Sequence, residues 1–216
     1  MRTRAISFAF ALLAVSSLLS PAFAQVGTRP AKEWIPTLER PDRVAGLKIA
    51  DVLEKLELKP GQVVADLGAG TGVFAWPLAK AVEPGMVYAV EVDKDFVAIM
   101  EDRLKQQKLA NVRPILGKFE DPLLPEKVDL AFFSDVLHHI ANRAAYLKTV
   151  AGYLKAGGRI AVIELDHTRP NSPHREQPDQ QVTKAQLDEW MKAAGLTKSG
   201  EFPIFEDKWF VVYRKN

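Results

Sequence analysis

The stretch Asp66–Gly72 reads DLGAGTG and joins a short apolar run, Val63–Leu67, to a helical pattern that begins at Val73. The apolar run is typical of a strand that is buried on both faces of a parallel sheet. Glycines at such a junction permit positive φ angles and let a ligand approach the backbone closely. Their spacing is G-x-G-x-G, which differs from the dinucleotide fingerprint G-x-G-x-x-G, and no Lys-Ser or Lys-Thr pair follows as in a P-loop. The stretch therefore predicts a ligand-binding loop between strand and helix, and it disfavours a pyrophosphate site.

Strand and helix patterns alternate along the rest of the chain. The strands expected after Val63–Leu67 are Met86–Val92, Asn111–Leu116, Val128–Ser134, Arg159–Leu165, Leu196–Glu201 and Lys208–Arg214. The expected helices are Val73–Val82, Phe96–Gln107 and Arg143–Leu154, the last of which ends at Ala156-Gly157-Gly158. A fourth helix is expected between a cap at Thr183 and an end at Gly195. This alternation predicts an α/β fold with a doubly wound, mostly parallel seven-stranded sheet and an antiparallel C-terminal strand.

Ligands of doubly wound sheets bind beyond the carboxyl ends of the strands. We therefore expect the functional residues in the segments that follow the strands, which are Asp66–Gly72, Glu91–Asp93, Gly117–Asp121, Ser134–His139 and Glu164–His167. A carboxylate such as Glu91, at the end of the second strand, can accept both hydroxyls of a ribose. For Asp93 we instead expect a cap on the following helix.

Composition and charge exclude several classes of function. The chain has 216 residues, a formal net charge of +2 and no Cys. The absence of Cys excludes disulfides, thiolate nucleophiles, Cys-ligated zinc and iron–sulfur clusters. The net charge is too small to indicate a nucleic-acid or membrane-binding surface. We therefore expect a small-molecule ligand and no nucleic-acid partner.

The N-terminus has the pattern of a secretory signal peptide. Arg2 and Arg4 precede an apolar run from Ala5 to Leu19, and Ala22 and Ala24 occupy the two positions that a signal peptidase reads. We expect residues 1–24 to be this signal peptide and the protein to be exported, either periplasmic or secreted. The alternative is an uncleaved N-terminal anchor. After cleavage, no apolar stretch remains that is long enough to span a bilayer.

Several motifs together resemble class I S-adenosylmethionine-dependent methyltransferases. Asp66–Gly72 with Glu91 resembles motif I and the acid that binds ribose, and Gly117–Asp121 is similar to the segment that flanks adenine. The stretch DLAFFSDVLHHI, residues 129–140, resembles the fourth-strand motif of the branch that contains ubiquinone-biosynthesis and arsenite methyltransferases, and LKAGGR, residues 154–159, resembles that branch's L-K-P-G-G turn. The resemblance runs from about Arg43 to the C-terminus. Arsenite enzymes of this branch use several Cys, so the absence of Cys argues against arsenite as the substrate.

The resemblance implies S-adenosyl-L-methionine as the cofactor and assigns residues to it. Asp66 would orient the glycine loop or the amino group, Glu91 would hold the ribose hydroxyls, and Val92 would pack against adenine. Glu120 or Asp121 would accept the adenine amino group, although Lys118 replaces the acid usual at that position. The full set assigned to cofactor binding is Asp66, Gly68, Ala69, Gly70, Gly72, Glu91, Val92, Phe119, Glu120 and Ser134.

Three residues after the fourth strand are catalytic candidates: Asp135, His138 and His139. The resemblance places Asp135 beside the transferred methyl group. A histidine near the methyl acceptor can act as a general base, because imidazole titrates near neutrality. Alternatively, the histidines anchor the turn by hydrogen bonds. A metal site would need a third ligand such as His167, but adjacent histidines on a helix seldom share one ion, so we predict no metal.

We divide the chain into residues 1–24 as signal peptide, residues 25–43 as an N-terminal segment that caps the acceptor, and residues 44–216 as the cofactor-binding domain. The loop Asp166–Gln181 is expected to complete the cap. The expected function is methyl transfer to an unidentified small-molecule acceptor. Export conflicts with a cofactor that is made in the cytosol, so the alternative is an exported, non-catalytic module that binds a nucleoside or another small ligand.

Overall fold

A seven-stranded sheet with helices on both faces forms the centre of the protein. The computed structural model describes residues 30–107 and 109–216. Its strands are β1 Val63–Leu67, β2 Met86–Glu91, β3 Val112–Leu116, β4 Val128–Ser134, β5 Leu154–Leu165, β6 Leu196–Glu201 and β7 Lys208–Lys215. Their order across the sheet is β3-β2-β1-β4-β5-β7-β6. Strands β1 to β5 run parallel, and β7 pairs antiparallel with both β5 and β6. The predicted fold class is confirmed.

Seven α-helices surround the sheet in the part of the chain that the structure describes. They are α1 Ala31–Leu38, α2 Pro41–Gly46, α3 Ile49–Leu56, α4 Ala75–Val82, α5 Lys94–Gln107, α6 Arg143–Gly152 and α7 Lys184–Ala193. Short 3-10 turns span Leu137–His139 and Pro178–Gln180. Thr183 caps α7 and forms the predicted capping box with Gln186. None of the described helices is both long and apolar enough to cross a membrane.

Two boundaries differ from the sequence prediction at the junction of α6 and β5. The helix ends at Gly152, and β5 already begins at Leu154, which pairs with Val128. The Gly-Gly pair therefore lies inside the strand rather than at a helix end. Gly157 has a φ of +70°, and the register between β4 and β5 shifts across this segment. Glycine permits this irregularity because it adopts positive φ without a steric penalty.

Alternate residues of the central strands pack into one apolar layer on each face of the sheet. Phe133 and Val90 belong to the layer covered by α6 and α7, whereas Phe132 and Ala89 belong to the layer covered by α3, α4 and α5. Because both faces are covered, the central strands are almost wholly apolar. Side chains at the carboxyl ends of these strands therefore hold fixed positions on a rigid base.

The expected signal peptide, residues 1–24, and residues 25–29 of the expected cap lie outside the described residues. The described part of the cap consists of α1 and the first half of α2. Helix α1 lies against the glycine loop, since the Leu38 Cδ1 atom is 3.7 Å from the position of a Cβ built on Gly70.

Candidate functional site

Two adjoining cavities open at the carboxyl ends of β1, β2 and β4. The first, here the loop cavity, has a volume of about 140 Å³ and is lined by Arg43, Asp66, Gly70 and Ser134 among others. The second, here the apolar cavity, has a volume of about 610 Å³ and lies between Val92, Phe119, Phe133 and Tyr146. Both cavities are lined by Gly68, Glu91, Val136 and His139, so they form one continuous cleft.

The glycine loop forms the floor of this cleft. Gly68, Gly70 and Gly72 have φ angles of +74°, +55° and +85°. The amides of Gly68 and Ala69 donate to the Val90 carbonyl at 2.9 and 3.0 Å, which ties the loop to the end of β2. A Cβ on Gly68 would lie 2.3 Å from the Val136 side chain. Glycine is therefore required where the loop meets the turn after β4.

Gly72 lies apart from the other loop residues and lines neither cavity. A Cβ at this position would lie 2.5 Å from the Trp76 ring. The close packing of α4 under the loop thus explains why position 72 is a glycine. The sequence motif alone does not separate this glycine from Gly68 and Gly70, which line the loop cavity together with Ala69.

Asp66 is a buried carboxyl group that faces the loop cavity. Asp66 is 3% exposed, and its Oδ2 atom has no hydrogen-bond partner among the described residues. Burial raises the pKa of Asp66 to about 7. An unpaired buried carboxylate is costly, and a cationic donor placed in the cavity would relieve that cost.

Glu91 lies at the point where the two cavities meet. Burial raises the pKa of Glu91 to about 7, and the neighbouring charges of Asp93 and Asp66 add to the rise. Asp93 accepts the Asp95 amide at 2.8 Å and caps α5, as the sequence predicted. Among the described residues, neither Glu91 nor Asp66 has a basic partner within 4.0 Å, and both line the loop cavity.

The apolar cavity is bounded by the segment after β3 and by the start of α6. Val92, Lys118, Phe119 and Glu120 line it. Asp121, the alternative to Glu120, is instead engaged with the Leu123 amide and the Tyr153 hydroxyl at 2.8 and 2.9 Å. The structure therefore brings Glu120, rather than Asp121, to the cavity wall.

Asp135 is held in place by a lysine that sequence reasoning missed. Its backbone has a φ of +53°, and both of its carboxylate oxygens accept hydrogen bonds from Lys208 Nζ at 2.7 Å. Arg43 Nη2 lies farther away, at 3.8 Å from Asp135 Oδ2. Lys208 begins β7, 73 residues along the chain, so no local pattern links it to the turn after β4. The ion pair joins the turn after β4 to β7, and Asp135 also lines the loop cavity.

His138 anchors the same turn from below. Its Nδ1 lies 2.7 Å from Glu164 Oε1, and its backbone amide donates to Glu164 Oε2 at 3.1 Å. Glu164 is fully buried at the end of β5 and also accepts the Leu165 amide. Burial opposes ionisation of Glu164, but the hydrogen bonds from His138 and Leu165 outweigh it and lower the pKa of this carboxyl. This arrangement matches the anchoring alternative for His138, which lines neither cavity.

His139 differs from its neighbour because it lines both cavities. Burial, with the adjacent His138, lowers the pKa of His139 to about 4, so its imidazole is neutral at neutral pH. The His139 ring lies 4.0 Å from that of His138 and 6.2 Å from that of His174. Within residues 30–107 and 109–216, no three His, Cys, Asp or Glu side chains form a group that could hold a metal ion.

Known proteins share both sequence and fold with this chain. Demethylmenaquinone methyltransferase of Geobacillus sp. is 27% identical over 116 residues, which are 53% of this chain and 50% of that protein. (S)-Coclaurine N-methyltransferase of Papaver somniferum is 29% identical over 119 residues, which are 53% of this chain and 33% of that protein. The chain thus spans at most half of the length of these curated relatives.

A solved structure of similar fold is a SAM-dependent methyltransferase from Aquifex aeolicus. It superposes with a TM-score of 0.76 at 22% identity and covers 88% of this chain and 100% of its own. In sequence, a family model described as a methyltransferase domain matches residues 58–200, which include the glycine loop and the turn after β4. The chain belongs to this methyltransferase domain family.

Proposed function

We propose that the protein transfers a methyl group from S-adenosylmethionine to a small-molecule acceptor. Family membership and the Aquifex neighbour support this proposal. The observation that carries it is the pair of acids in one cleft, because the buried Asp66 keeps an oxygen without a partner among the described residues and the half-buried Glu91 faces the same space. A cleft with these groups suits a ligand that is both cationic and rich in hydroxyl groups.

The residues that line the cleft fit this cofactor from end to end. Asp66 would accept the amino group, and the backbone at Gly68 and Gly70 would lie against the methionine chain. Glu91 would accept the ribose hydroxyls where the two cavities meet. Val92 and the rest of the apolar cavity would enclose the adenine ring, with Glu120 at its edge.

The chain's contribution to catalysis is mainly geometric. S-Adenosylmethionine supplies an electrophilic methyl carbon bound to a sulfonium. The protein must hold the acceptor in line with that carbon and exclude water, since orientation lowers the barrier of such displacements. The described part of the cap, α1 and α2, closes the loop cavity on the side of Leu38 and Arg43. His139, which lines both cavities, would take at a ring nitrogen the proton that an oxygen or nitrogen acceptor loses.

Calorimetry on the purified protein tests this function. Titration with S-adenosylmethionine and with S-adenosylhomocysteine should give saturable heat. Replacing Glu91 with Ala should weaken both affinities about 10- to 100-fold, because a charged acceptor for two hydroxyls is lost. Glu101→Ala, an exposed change on α5, serves as the matched control. If neither ligand gives heat, the proposal fails.

The acceptor and the alternative function are separated by a second measurement. With binding established, quinones, phenols and small amines are screened for transfer of a labelled methyl group. Methylation of any of them supports the enzyme. Binding without methylation of any acceptor would favour an exported, non-catalytic module that binds a nucleoside.

We also propose that residues 1–24 direct export to the periplasm or beyond. The support is the sequence pattern alone: two early arginines, an apolar run and alanines at positions 22 and 24. Alkaline phosphatase fused after Asn216 should be active, since it needs an oxidising compartment. An inactive fusion that accumulates in the cytosol would overturn export.

A further inference from the structure

An arginine outside both cavities joins α1 to the glycine loop. Arg103 lies in α5 and lines neither the loop cavity nor the apolar cavity. Its Nη1 donates to the carboxylate of Glu39, the residue that ends α1, and to the Thr71 carbonyl of the glycine loop, which lies at 2.9 Å. One guanidinium nitrogen therefore connects three elements of the site: α5, the glycine loop and α1.

The ion pair of Glu39 with Arg103 is partly shielded from solvent. Its side chains are 32% and 24% exposed, whereas those of Asp102 and Lys105, a second pair on α5, are 72% and 75% exposed. Burial opposes ionisation of Glu39, but the hydrogen bond and the charge of Arg103 lower the pKa of this carboxyl below its usual value. Because solvent screens exposed pairs strongly, the shielded pair should hold its two helices together more firmly than the exposed pair holds its partners.

The helix that this pair holds covers the loop cavity. Leu38, the residue before Glu39, lines the cavity and packs against Gly70, and Thr71 lines it as well. With α1 in this position the loop cavity has a volume of about 140 Å³, which is below the range of roughly 300–1,000 Å³ that is usual for ligand pockets. Movement of Leu38 away from Gly70 would widen this part of the cleft.

We propose that Arg103 is a positioning residue that holds α1 closed over the loop cavity, and that breaking its pair with Glu39 opens this cavity for entry and release of the ligand. The kinetic test of this inference rests on the proposed function, which supplies the ligand. The ligand would enter and leave through the open form, whereas free and loaded protein both rest in the closed form. The pair then slows association and dissociation by the same factor and leaves the affinity nearly unchanged. A residue that only supports a ligand contact slows dissociation alone.

Surface plasmon resonance with S-adenosylhomocysteine on the immobilised protein measures both rates. Glu39→Gln removes one charge of the pair and leaves Arg103 on the Thr71 carbonyl. We expect association and dissociation to become about 3- to 10-fold faster, with a change in Kd of less than about twofold. The double variant Glu39→Gln/Arg103→Gln should show no larger effect than Arg103→Gln alone, because both changes act on one contact. Lys105→Gln, which breaks the exposed pair of the same helix, is the matched control and should keep the wild-type rates.

Hydrogen exchange observes α1 without any ligand. In the free protein, the amides of residues 31–38 should exchange about 3- to 10-fold faster in Glu39→Gln than in wild type, because the helix opens more often. Arg103→Lys keeps a cation at this position and should retain part of the protection. Lys105→Gln should leave the exchange of α1 unchanged. Melting curves check that each variant is folded.

Three results would overturn the proposal. Faster dissociation at an unchanged association rate would mean that the pair supports a ligand contact and does not gate the cavity. Unchanged rates in Glu39→Gln would mean that the ligand passes through the apolar cavity instead. Unchanged exchange of α1 in this variant would mean that the pair does not hold the helix. If wild type binds no S-adenosylhomocysteine, the proposed function fails, whereas the exchange of α1 still decides whether Arg103 holds the helix.

Discussion

Replacing Gly68 with Ala should disrupt the junction between the glycine loop and the turn after β4. Gly68 has a φ of +74°, where a residue with a Cβ costs about 1–2 kcal/mol. The new methyl group would also lie 2.3 Å from Val136 Cγ2 and 2.9 Å from Val136 Cβ. Overpacking of this kind costs about 1–3 kcal/mol. We therefore expect the free energy of unfolding to fall by about 2–5 kcal/mol.

A double-mutant cycle separates the two parts of this cost. In a Val136→Ala background the 2.3 Å contact with Cγ2 is removed and the 2.9 Å contact with Cβ remains. Gly68→Ala should therefore cost less there than in the wild type, with the backbone strain of about 1–2 kcal/mol as the lower bound. Gly46→Ala is the matched control, because a Cβ there has nothing within 4 Å and the residue lies in α2. That change should be neutral or stabilising by up to about 1 kcal/mol. Urea unfolding measures the four proteins of the cycle and the Gly46→Ala control.

Two results would refute this reasoning. A loss below about 0.5 kcal/mol for Gly68→Ala would mean that the loop moves freely away from Val136. An equal loss with Val and with Ala at position 136 would mean that the contact with the Val136 methyl groups does not determine the cost. Calorimetry on Gly68→Ala adds a functional readout, since displacement of the loop should also weaken S-adenosylhomocysteine.

Three further changes test the charged groups around the cleft. Burial raises the pKa values of Asp66 and Glu91 from about 4 to about 7, so the ligand-free protein should lose stability as pH rises between these values. Asp66→Asn should flatten that dependence in thermal melts, and an unchanged slope would contradict it. Glu164→Ala should cost about 3–5 kcal/mol in urea unfolding, because it leaves buried donors without an acceptor, and a loss below about 1 kcal/mol would count against this role. Lys208→Met should lower the free energy of unfolding by about 1–3 kcal/mol, because it leaves Asp135 without its main partner. Lys208→Arg should retain most of the wild-type stability, and equal losses in both variants would argue against the ion pair.

Patterns within single segments predicted the sheet and the floor of the cleft. The run Val63–Leu67 is buried at every position, and the acids at 66 and 91 lie where the carboxyl ends of β1 and β2 meet. Both features depend on local alternation and on the rule that ligands bind at the carboxyl edge of such sheets. They need no knowledge of distant contacts, which is why the sequence was sufficient for them.

Features that depend on distant contacts were missed or left open. The two adjacent histidines look equivalent in the sequence, and only Glu164, 26 residues away, separates the anchored His138 from His139 in the cleft. Lys208 could not be linked to Asp135 for the same reason. The helices α1 to α3 were missed because they are only six to eight residues long, and because Pro36 lies inside α1 and Pro41 begins α2.

The position of β7 between β5 and β6 sets an order in which the protein can be assembled. Strand β6 precedes β7 in the chain, yet its one strand neighbour in the described sheet is β7. While the chain is being synthesised, β6 therefore has no edge to join until β7 has followed it. Lys208 arrives with the same strand, so Asp135 gains its partner at this last step. A fragment that stops before residue 208 would expose the edge of β5 and leave the turn beside the cleft unsupported, which makes the intact β7 a condition for any shortened form of the protein.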